Sequence, residues 1–249
     1  ATGLFTLSWT DDRGEAWAEK SYEQYLQIAD QSGTLDPLLA CNYQRVALGT
    51  DGGTYYVRAG LVSQNYFETL RIRLVKGRAP SPEESRPDAA GLVGVISDRI
   101  WQEHFGGAED VIGRSLTING RHVTVVGVAP PRFHGAWLGE FFDAWLPFSS
   151  YSQVGRVQDG PPDGRAAPVL MVGRLRAGVT RAEALAELTM ISARLHAGEP
   201  EGGPRAGLVP YSVTAGGNSL VSTRGGTFLA VFSIVTLLTL LIVSANVAN

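Results

Sequence analysis

The sequence contains a single cysteine, Cys41, which excludes any disulfide bond within the chain. One thiol fits a reducing compartment, and it equally fits an exported domain that its core alone stabilises, so the cysteine content leaves the location open. The sequence also lacks an excess of basic residues, because the formal net charge of its 249 residues is −3. A nearly neutral chain does not favour nucleic acid as a partner.

The motifs of common catalytic chemistry are missing as well. No Gly-x-x-x-x-Gly-Lys-Ser/Thr segment occurs to cradle ATP phosphates, no Gly-x-Ser-x-Gly elbow occurs, and His-Glu-x-x-His is absent. The four histidines, His104, His122, His134 and His196, are not spaced as metal ligands. We therefore predict that the chain is not an enzyme and has no catalytic, cofactor-binding or metal-binding residues.

The strongest candidates for a ligand contact share one aromatic loop. His134 lies near Trp137, and Glu140 and Asp143 form a carboxylate pair. A glycosidase needs two carboxyl groups roughly 5–10 Å apart, which this pair could provide. A solvated loop explains the same residues without any ligand, and we favour that interpretation.

Other reactive or aromatic residues are expected to be structural. Cys41 has no His close to it in the sequence, which argues against a nucleophile. His122 is expected to point outward from a strand. We expect core packing, not a stacking platform, from the aromatic residues Trp101, Phe105, Phe133, Trp137, Phe141, Phe142 and Trp145.

Local patterns predict a mixed α+β fold. Ser21 with Gln24, and Thr180 with Glu183, form capping boxes that start two helices. Residues 39–48 and 55–62 read as strands around the turn residues 51–53, and Asn119-Gly120 predicts a type I′ hairpin. Further short strands, at 92–96, at the end of the aromatic segment 137–147, at 169–176 and at 208–213, alternate with helices after Ser63 and Ser97. This mixture of hairpins and crossovers indicates α+β, in two lobes.

Two further segments set the predicted domain boundaries. Residues 155–168 are rich in Gly, Pro and charge, and are the predicted connection between the two lobes. Residues 225–249 carry no charge, and 15 of the 20 residues from 228 to 247 are apolar. At 1.5 Å per residue that run spans roughly 30 Å, the thickness of a bilayer's hydrocarbon core. We predict a folded domain over 1–224 and the start of a transmembrane helix, cut short, over 225–249.

Several segments together carry a family pattern, in a fixed order. They are residues 61–70 with Gly77-Arg78, 95–101 with 105–107, 111–131 with Phe133, 173–180 with Ala184, and 244–249. The set resembles the MacB-type periplasmic core domain of FtsX-like ABC transporter permeases, and most closely the duplicated permeases that often lack a fused ATPase. The chain departs from the family at Arg71, where many members have Gly, and at Ala177, which is commonly Pro.

The resemblance implies a two-lobed domain inserted between the first two membrane helices of a permease. Relatives couple cytoplasmic ATP hydrolysis to movements outside the membrane, which drive export (mechanotransmission). The implied partners are an ABC ATPase subunit, a second permease copy or pseudo-dimer half, the lipid bilayer and, in some relatives, a periplasmic adaptor and an outer-membrane channel. The implied location is the bacterial inner membrane, with residues 1–224 on the periplasmic side.

Two other functions compete with the permease hypothesis. An extracytoplasmic sensor or ligand-binding module on a membrane anchor would have a similar composition, but residues 244–249 resemble a polytopic permease. A membrane-anchored hydrolase would need the nucleophile or metal motifs that the sequence lacks.

Overall fold

The computed structural model of the chain describes residues 4–10, 16–17, 20–50, 53–136, 141–155, 167–195, 205–212, 217–218 and 236. The strands are β1 Leu4–Thr10, β2 Ala16–Trp17, β3 Lys20–Ser21, β4 Leu35–Thr50, β5 Gly53–Val62, β6 Lys76–Gly77, β7 Leu92–Ile96, β8 Ser115–Ile118, β9 Arg121–Val128, β10 Ala144–Pro147, β11 Pro168–Leu175, β12 Arg205–Ser212 and β13 Gly217–Asn218. The helices are α1 Tyr22–Gln31, α2 Tyr66–Thr69, α3 Asp98–Phe105, α4 Tyr151–Val154 and α5 Arg181–Leu195, with a 3₁₀ turn at Phe148–Ser150. The predicted α+β class is confirmed.

Both predicted capping boxes are confirmed by reciprocal hydrogen bonds. Gln24 N–H donates to the Ser21 hydroxyl at 3.2 Å, and Ser21 N–H donates to the Gln24 amide oxygen at 3.0 Å. Thr180 and Glu183 make the same reciprocal pair at the start of α5. Ser63 does not cap α2, since Asn65 occupies the N-cap position and the Ser63 hydroxyl instead accepts from Ala40 N–H.

Six strands close into a small barrel. β4 pairs with β5, β5 with β10, β10 with β7, β7 with β9, β9 with β8, and β8 returns to β4 through Leu48↔Ile118 and Gly49↔Thr117. Alternate positions of these strands enter one buried cluster, because successive side chains of a strand point to opposite faces. That cluster contains Val46, Leu48, Val57, Ala59, Leu61, Leu116, Ile118, Val123, Val125, Ala144 and Leu146.

The remaining long strands extend the sheet on the other side of β4. β11 pairs with the first part of β4, β1 pairs with β11, and β12 pairs with β1, all antiparallel. Helix α1 contacts β11, β4 and α5, and α5 contacts β12. We call β1, β11, β12, α1 and α5 the terminal layer, because both terminal parts of the described chain contribute to it.

One carboxylate fastens α5 to the loop before β4. Glu187 accepts from the Ser32 hydroxyl at 2.9 Å and from the Gly33 and Thr34 amides at 2.8 and 3.0 Å, and also from the Thr34 hydroxyl. Burial alone would raise the pKa of Glu187, but these bonds favour the ionised form and hold the pKa below its ordinary value.

A second buried cluster lies on the outer side of the barrel wall. Five aromatic rings pack together there, with centroids of neighbouring rings 5.1–6.5 Å apart: Tyr66, Phe67, Phe133, Phe142 and Trp145. This confirms the predicted core role of Phe133, Phe142 and Trp145. The prediction was wrong for Phe141, which is 61% exposed.

Several predicted features lie outside the described residues. These are Trp137, Glu140, His196, residues 51–52 of the predicted turn, most of the predicted connection 155–168, and almost all of the segment 225–249. Among the residues that the structure describes, no helix has both the length and the apolar composition needed to cross a membrane. The division into two lobes and the domain boundaries stay predictions.

Candidate functional site

The aromatic loop singled out in the sequence borders a cleft on the outer wall of the barrel. The cleft has a volume of about 420 Å³ and is lined by Arg45, Tyr56, Val57, Arg58, Arg99, Phe141 and Asp143. We call this set the arginine cleft. β4 supplies Arg45 and β5 supplies Tyr56 and Arg58, at the strand positions that alternate with the buried Val46 and Val57.

Asp143 sits in this cleft as an anchored structural carboxylate. Its side chain pairs with Arg99 of α3, with N–O distances of 2.7 and 3.1 Å. Its backbone is fixed as well, because Asp143 N–H donates to Arg58 O at 2.8 Å and Ser97 N–H donates to Asp143 O at 2.9 Å. The residue is 8% exposed. These contacts link the N-terminus of α3 to strand β5.

Arg99 remains a cation despite partial burial. Burial opposes the charged guanidinium, but hydrogen bonds and charge attraction from Asp143 and Glu103 outweigh it and raise the pKa of Arg99 above its ordinary value. The Glu103 contact is an N–O distance of 2.7 Å, one helical turn along α3.

Two further arginines face each other across the hairpin of β4 and β5. Arg45 and Arg58 are direct register partners, and both side chains are exposed. Arg45 also lies over the ring of Tyr56, with 4.5 Å from its guanidinium carbon to the ring centroid. That cation–π contact holds the Arg45 guanidinium against the wall of the barrel.

Aromatic residues border the same cleft. His134 meets the exposed Phe141 edge to face at a centroid distance of 4.6 Å, and Phe142 N–H donates to His134 O at 3.0 Å. The ring centroids of Tyr43 and Phe142 are 6.1 Å apart. His134 therefore packs against the aromatic rim, and within the described part of the chain no hydrogen bond or ion pair joins it to Asp143.

The other candidates lie apart from this cleft. Cys41 is fully buried in the outer cluster. His122 is exposed on β9, as predicted. His104 stacks on Tyr55 at 5.0 Å, and burial lowers its pKa while Asp143 partly opposes the shift. A second cleft of about 420 Å³ touches His104, Phe105 and Leu116 near the other end of α3.

The sequence analysis missed the arginines of the cleft, although a signal was present. Thr50 pairs with Gly53, so only two residues separate β4 from β5 in the sequence, and this register sets Arg45 opposite Arg58. Arg99 and Asp143 could not be joined to them from sequence, because α3 and the loop before β10 are distant along the chain. Within the described ranges, no group of three or more His, Cys, Asp or Glu side chains could hold a metal ion.

Comparison with known families gives one match that spans most of the chain. Residues 8–191 match the family model described as the MacB-like periplasmic core domain. No curated protein matches the chain.

Three solved structures share the fold. The periplasmic region of MacB from Actinobacillus actinomycetemcomitans aligns with a TM-score of 0.61 and 13% identity, over 84% of this chain and 88% of that one. The extracellular domain of the noncanonic ABC-type transporter YknZ from Gram-positive bacteria aligns with a TM-score of 0.60 and 12% identity, over 83% of this chain and 99% of that one. A domain of a putative permease protein from Porphyromonas gingivalis aligns with a TM-score of 0.56 and 15% identity, over 84% of this chain and 90% of that one.

Proposed function

The chain belongs to the family of MacB-like periplasmic core domains of ABC transporter permeases, and we propose that within such a permease it acts as a mechanical relay. ATP hydrolysis takes place on a separate ATPase subunit or domain in the cytoplasm. The domain passes the resulting movement to the extracytoplasmic side, where it drives export of a substrate. The observation that carries this proposal is the family match over residues 8–191.

The architecture supports a relay because one strand runs through both parts of the domain. β4 has 16 residues, or roughly 50 Å at the rise of an extended strand. Its first part pairs with β11 of the terminal layer, and Leu48 and Gly49 near its end pair with β8 of the barrel. β4 is therefore the strand along which a change in the position of the terminal layer relative to the barrel is transmitted.

One aromatic contact joins the two parts a second time. Tyr22 of α1 stacks on Phe148, which follows β10, with centroids 3.6 Å apart and planes 3° from parallel. Packed aromatic faces have discrete arrangements, so such a contact suits a device with two states. We propose that the balance between those states follows the nucleotide state of the ATPase.

The proposed assembly follows from the same membership. Residues 225–249 enter the bacterial inner membrane, and residues 1–224 lie on the periplasmic side. The partners are an ABC ATPase subunit and a second permease copy or pseudo-dimer half, with a periplasmic adaptor and an outer-membrane channel as further partners. No catalytic, cofactor-binding or metal-binding role is assigned to any residue of this chain.

A distance measurement in the assembled transporter tests the relay. Met190 of α5 and Ile112 beside the barrel are both exposed, so Met190→Cys and Ile112→Cys can carry spin labels, while the native Cys41 is fully buried. The electron–electron distance should change between the nucleotide-free state and the vanadate-trapped ATP state. The control pair is Ile112→Cys with Arg121→Cys, which joins the same position beside the barrel to the start of the barrel strand β9, and its distance should stay constant.

The outcomes separate a relay from a passive domain. If the Met190–Ile112 distance stays constant while the ATPase turns over, the terminal layer and the barrel move as one body and the proposal is wrong. A change in the distances of both labelled pairs would indicate that the barrel itself deforms, which also contradicts the proposal.

A further inference from the structure

Two side chains of β4, Asn42 and Gln44, interrupt an otherwise apolar row. Because alternate residues of a strand share one face, they face the same side of β4 as positions 38, 40, 46 and 48. Those four residues are hydrophobic and belong to one buried cluster: Leu38, Ala40, Val46 and Leu48. Asn42 and Gln44 are buried as well, at 8% and 6% exposure. A buried amide costs free energy unless it is hydrogen-bonded, so each of them needs a partner.

Two hydrogen bonds connect these amides to the terminal layer. Gln44 Nε2 donates to Asn42 Oδ1 at 2.8 Å, and Asn42 Nδ2 donates to Pro168 O at 2.6 Å. Pro168 is the first residue of β11. We call these two bonds the amide latch. The latch joins β4 to the start of β11 through side chains, next to the backbone pairing of Cys41 with Leu170.

The amide latch lies where β4 changes its neighbouring strand. β11 pairs with β4 as far as Cys41, and β8 pairs with β4 from Leu48. For residues 42–46, which we call the neck, β5 is the one pairing strand among those that the structure describes. Two of the β5 residues opposite the neck are Ala59 and Gly60, which offer little side-chain packing across the strands. The neck is therefore the part of β4 where side-chain hydrogen bonds matter most.

We propose that the amide latch holds the terminal layer and the barrel in one of the two arrangements of the relay, and that its bond to Pro168 opens in the other. This inference rests on the relay function proposed above and adds the residues that set its balance. One hydrogen bond contributes a severalfold change to an equilibrium, which biases two states without locking either.

The chemistry of the row supports a role in choosing an arrangement. Well-packed apolar side chains at positions 42 and 44 would give comparable or greater stability, since replacing both partners of a buried polar pair by apolar groups is often neutral or stabilising. An apolar pair, however, makes no directional bond and does not discriminate between two positions of β11. The Asn42 amide does, because it is satisfied only while Pro168 O lies within reach.

Spin labels in the assembled transporter test the amide latch, with Met190→Cys and Ile112→Cys as the labelled positions. Asn42→Leu keeps a side chain of similar size and removes the amide. In the nucleotide-free state, we expect Asn42→Leu to shift the ratio of the two interspin distances by about threefold or more toward the distance of the vanadate-trapped state. Gln44→Leu leaves the Asn42–Pro168 bond in place and should shift the ratio less.

A matched control separates the amide latch from a general loss of hydrogen bonding. Asn65 Nδ2 donates to Leu38 O at 2.8 Å, a bond of the same kind that joins α2, instead of β11, to β4. Asn65→Leu should therefore leave the ratio of distances unchanged. Circular dichroism identifies a variant that fails to fold. If Asn42→Leu does so, Asn42→Leu with Gln44→Leu replaces it, because that pair leaves neither side-chain amide buried without a partner.

The relay and the amide latch fail in different ways. If the distance in the unchanged protein does not respond to nucleotide, the relay is wrong and the latch has no balance to set. If that distance responds, but removal of the Asn42 amide leaves the nucleotide-free ratio unchanged or shifts it the other way, the latch is wrong and the relay stands. An equal shift from Asn65→Leu would also overturn the latch, because the loss of any buried bond would then suffice.

Discussion

Arg71 has a backbone φ of 56°, in the left-handed region that L-residues rarely occupy. It follows α2 in the position after the C-cap Leu70. Arg71 N–H donates to Glu68 O, and Ile72 N–H donates to Phe67 O, each at 2.9 Å. These two bonds form a Schellman motif, which usually has Gly at the left-handed position. The Gly that many family members have at this position adopts a left-handed backbone without the steric cost that a side chain adds.

Replacing Arg71 by Gly should stabilise the domain. The left-handed conformation costs an L-residue about 1–2 kcal/mol, and the greater freedom of Gly in the unfolded chain offsets about 0.5–1 kcal/mol of that. We expect Arg71→Gly to raise the free energy of unfolding by about 0.5–1 kcal/mol, measured by denaturant titration.

The control variant for this substitution is Arg71→Gln. Burial, and then the charge of Arg71, lower the pKa of Arg174, so removal of the Arg71 charge alone would relieve some repulsion. Arg71→Gln removes the charge but keeps the strained backbone. An equal gain in stability from Gln and Gly would show that charge, not backbone conformation, is the source.

At the residue scale, the sequence predicted correctly those residues whose role depends on neighbours along the chain, such as helix caps and turns. Ser21, Ser97 and Asn119-Gly120 were assigned from local chemistry, and the structure gives each the predicted cap or turn. It failed for Phe141, whose exposure depends on the three-dimensional path of its loop.

At the scale of elements, two glycines with similar backbone angles have very different surroundings. Gly120, in the β8–β9 turn, has φ 78°, and an added Cβ would meet nothing within 4 Å. Gly77 in β6 has φ 65°, but its Cβ would lie 2.1 Å from Val126 O and 2.7 Å from Ile112 Cδ1. Gly77 is also the register partner of Gly127, so two backbones approach closely there.

Substitution by Ala should therefore lower the free energy of unfolding by different amounts at these two glycines. Gly120→Ala should cost about 1 kcal/mol, because only the positive φ is penalised. Gly77→Ala should cost about 3 kcal/mol or more, since β6 must also move away from β9. Thermal and denaturant unfolding of both variants measures the difference. Equal losses would mean that β6 is not held against β9 as closely as the structure has it.

Element pairing explains how far the fold could be predicted. Both hairpins were predicted, since their turns and strands are contiguous in sequence. The closure of the barrel by β4 and β8 was not, because Leu48 and Ile118 are brought together only by tertiary packing. The prediction also started β4 at residue 39, whereas the strand begins at Leu35 and passes through Pro37.

At the scale of the whole molecule, the arginine cleft exists only because distant segments meet. The hairpin supplies Arg45 and Arg58, α3 supplies Arg99, and the loop before β10 supplies Asp143. Sequence analysis identified Asp143 as a candidate but grouped it with Glu140 and His134, which are its neighbours in sequence. Its partner in the structure is Arg99.

The predicted association of the whole chain with membranes rests on residues 225–249, which include no charged side chain. An exposed apolar run of this size would drive aggregation in water. We therefore expect a chain ending at residue 224 to be monodisperse without detergent, and the 249-residue chain to require detergent or lipid. Size-exclusion chromatography with light scattering compares the two.

Membrane insertion must still be distinguished from simple aggregation, and two lysines make that distinction. Each Lys near the centre of a transmembrane helix costs about 2.5–3.5 kcal/mol of insertion free energy. Val235→Lys with Leu238→Lys should therefore release the 249-residue chain from membranes into a carbonate wash, while Ser233→Ala with Thr239→Ala should leave it embedded. If the lysine variant stays in the membrane, or if both chain lengths are soluble and equal in size without detergent, residues 225–249 are not a membrane helix.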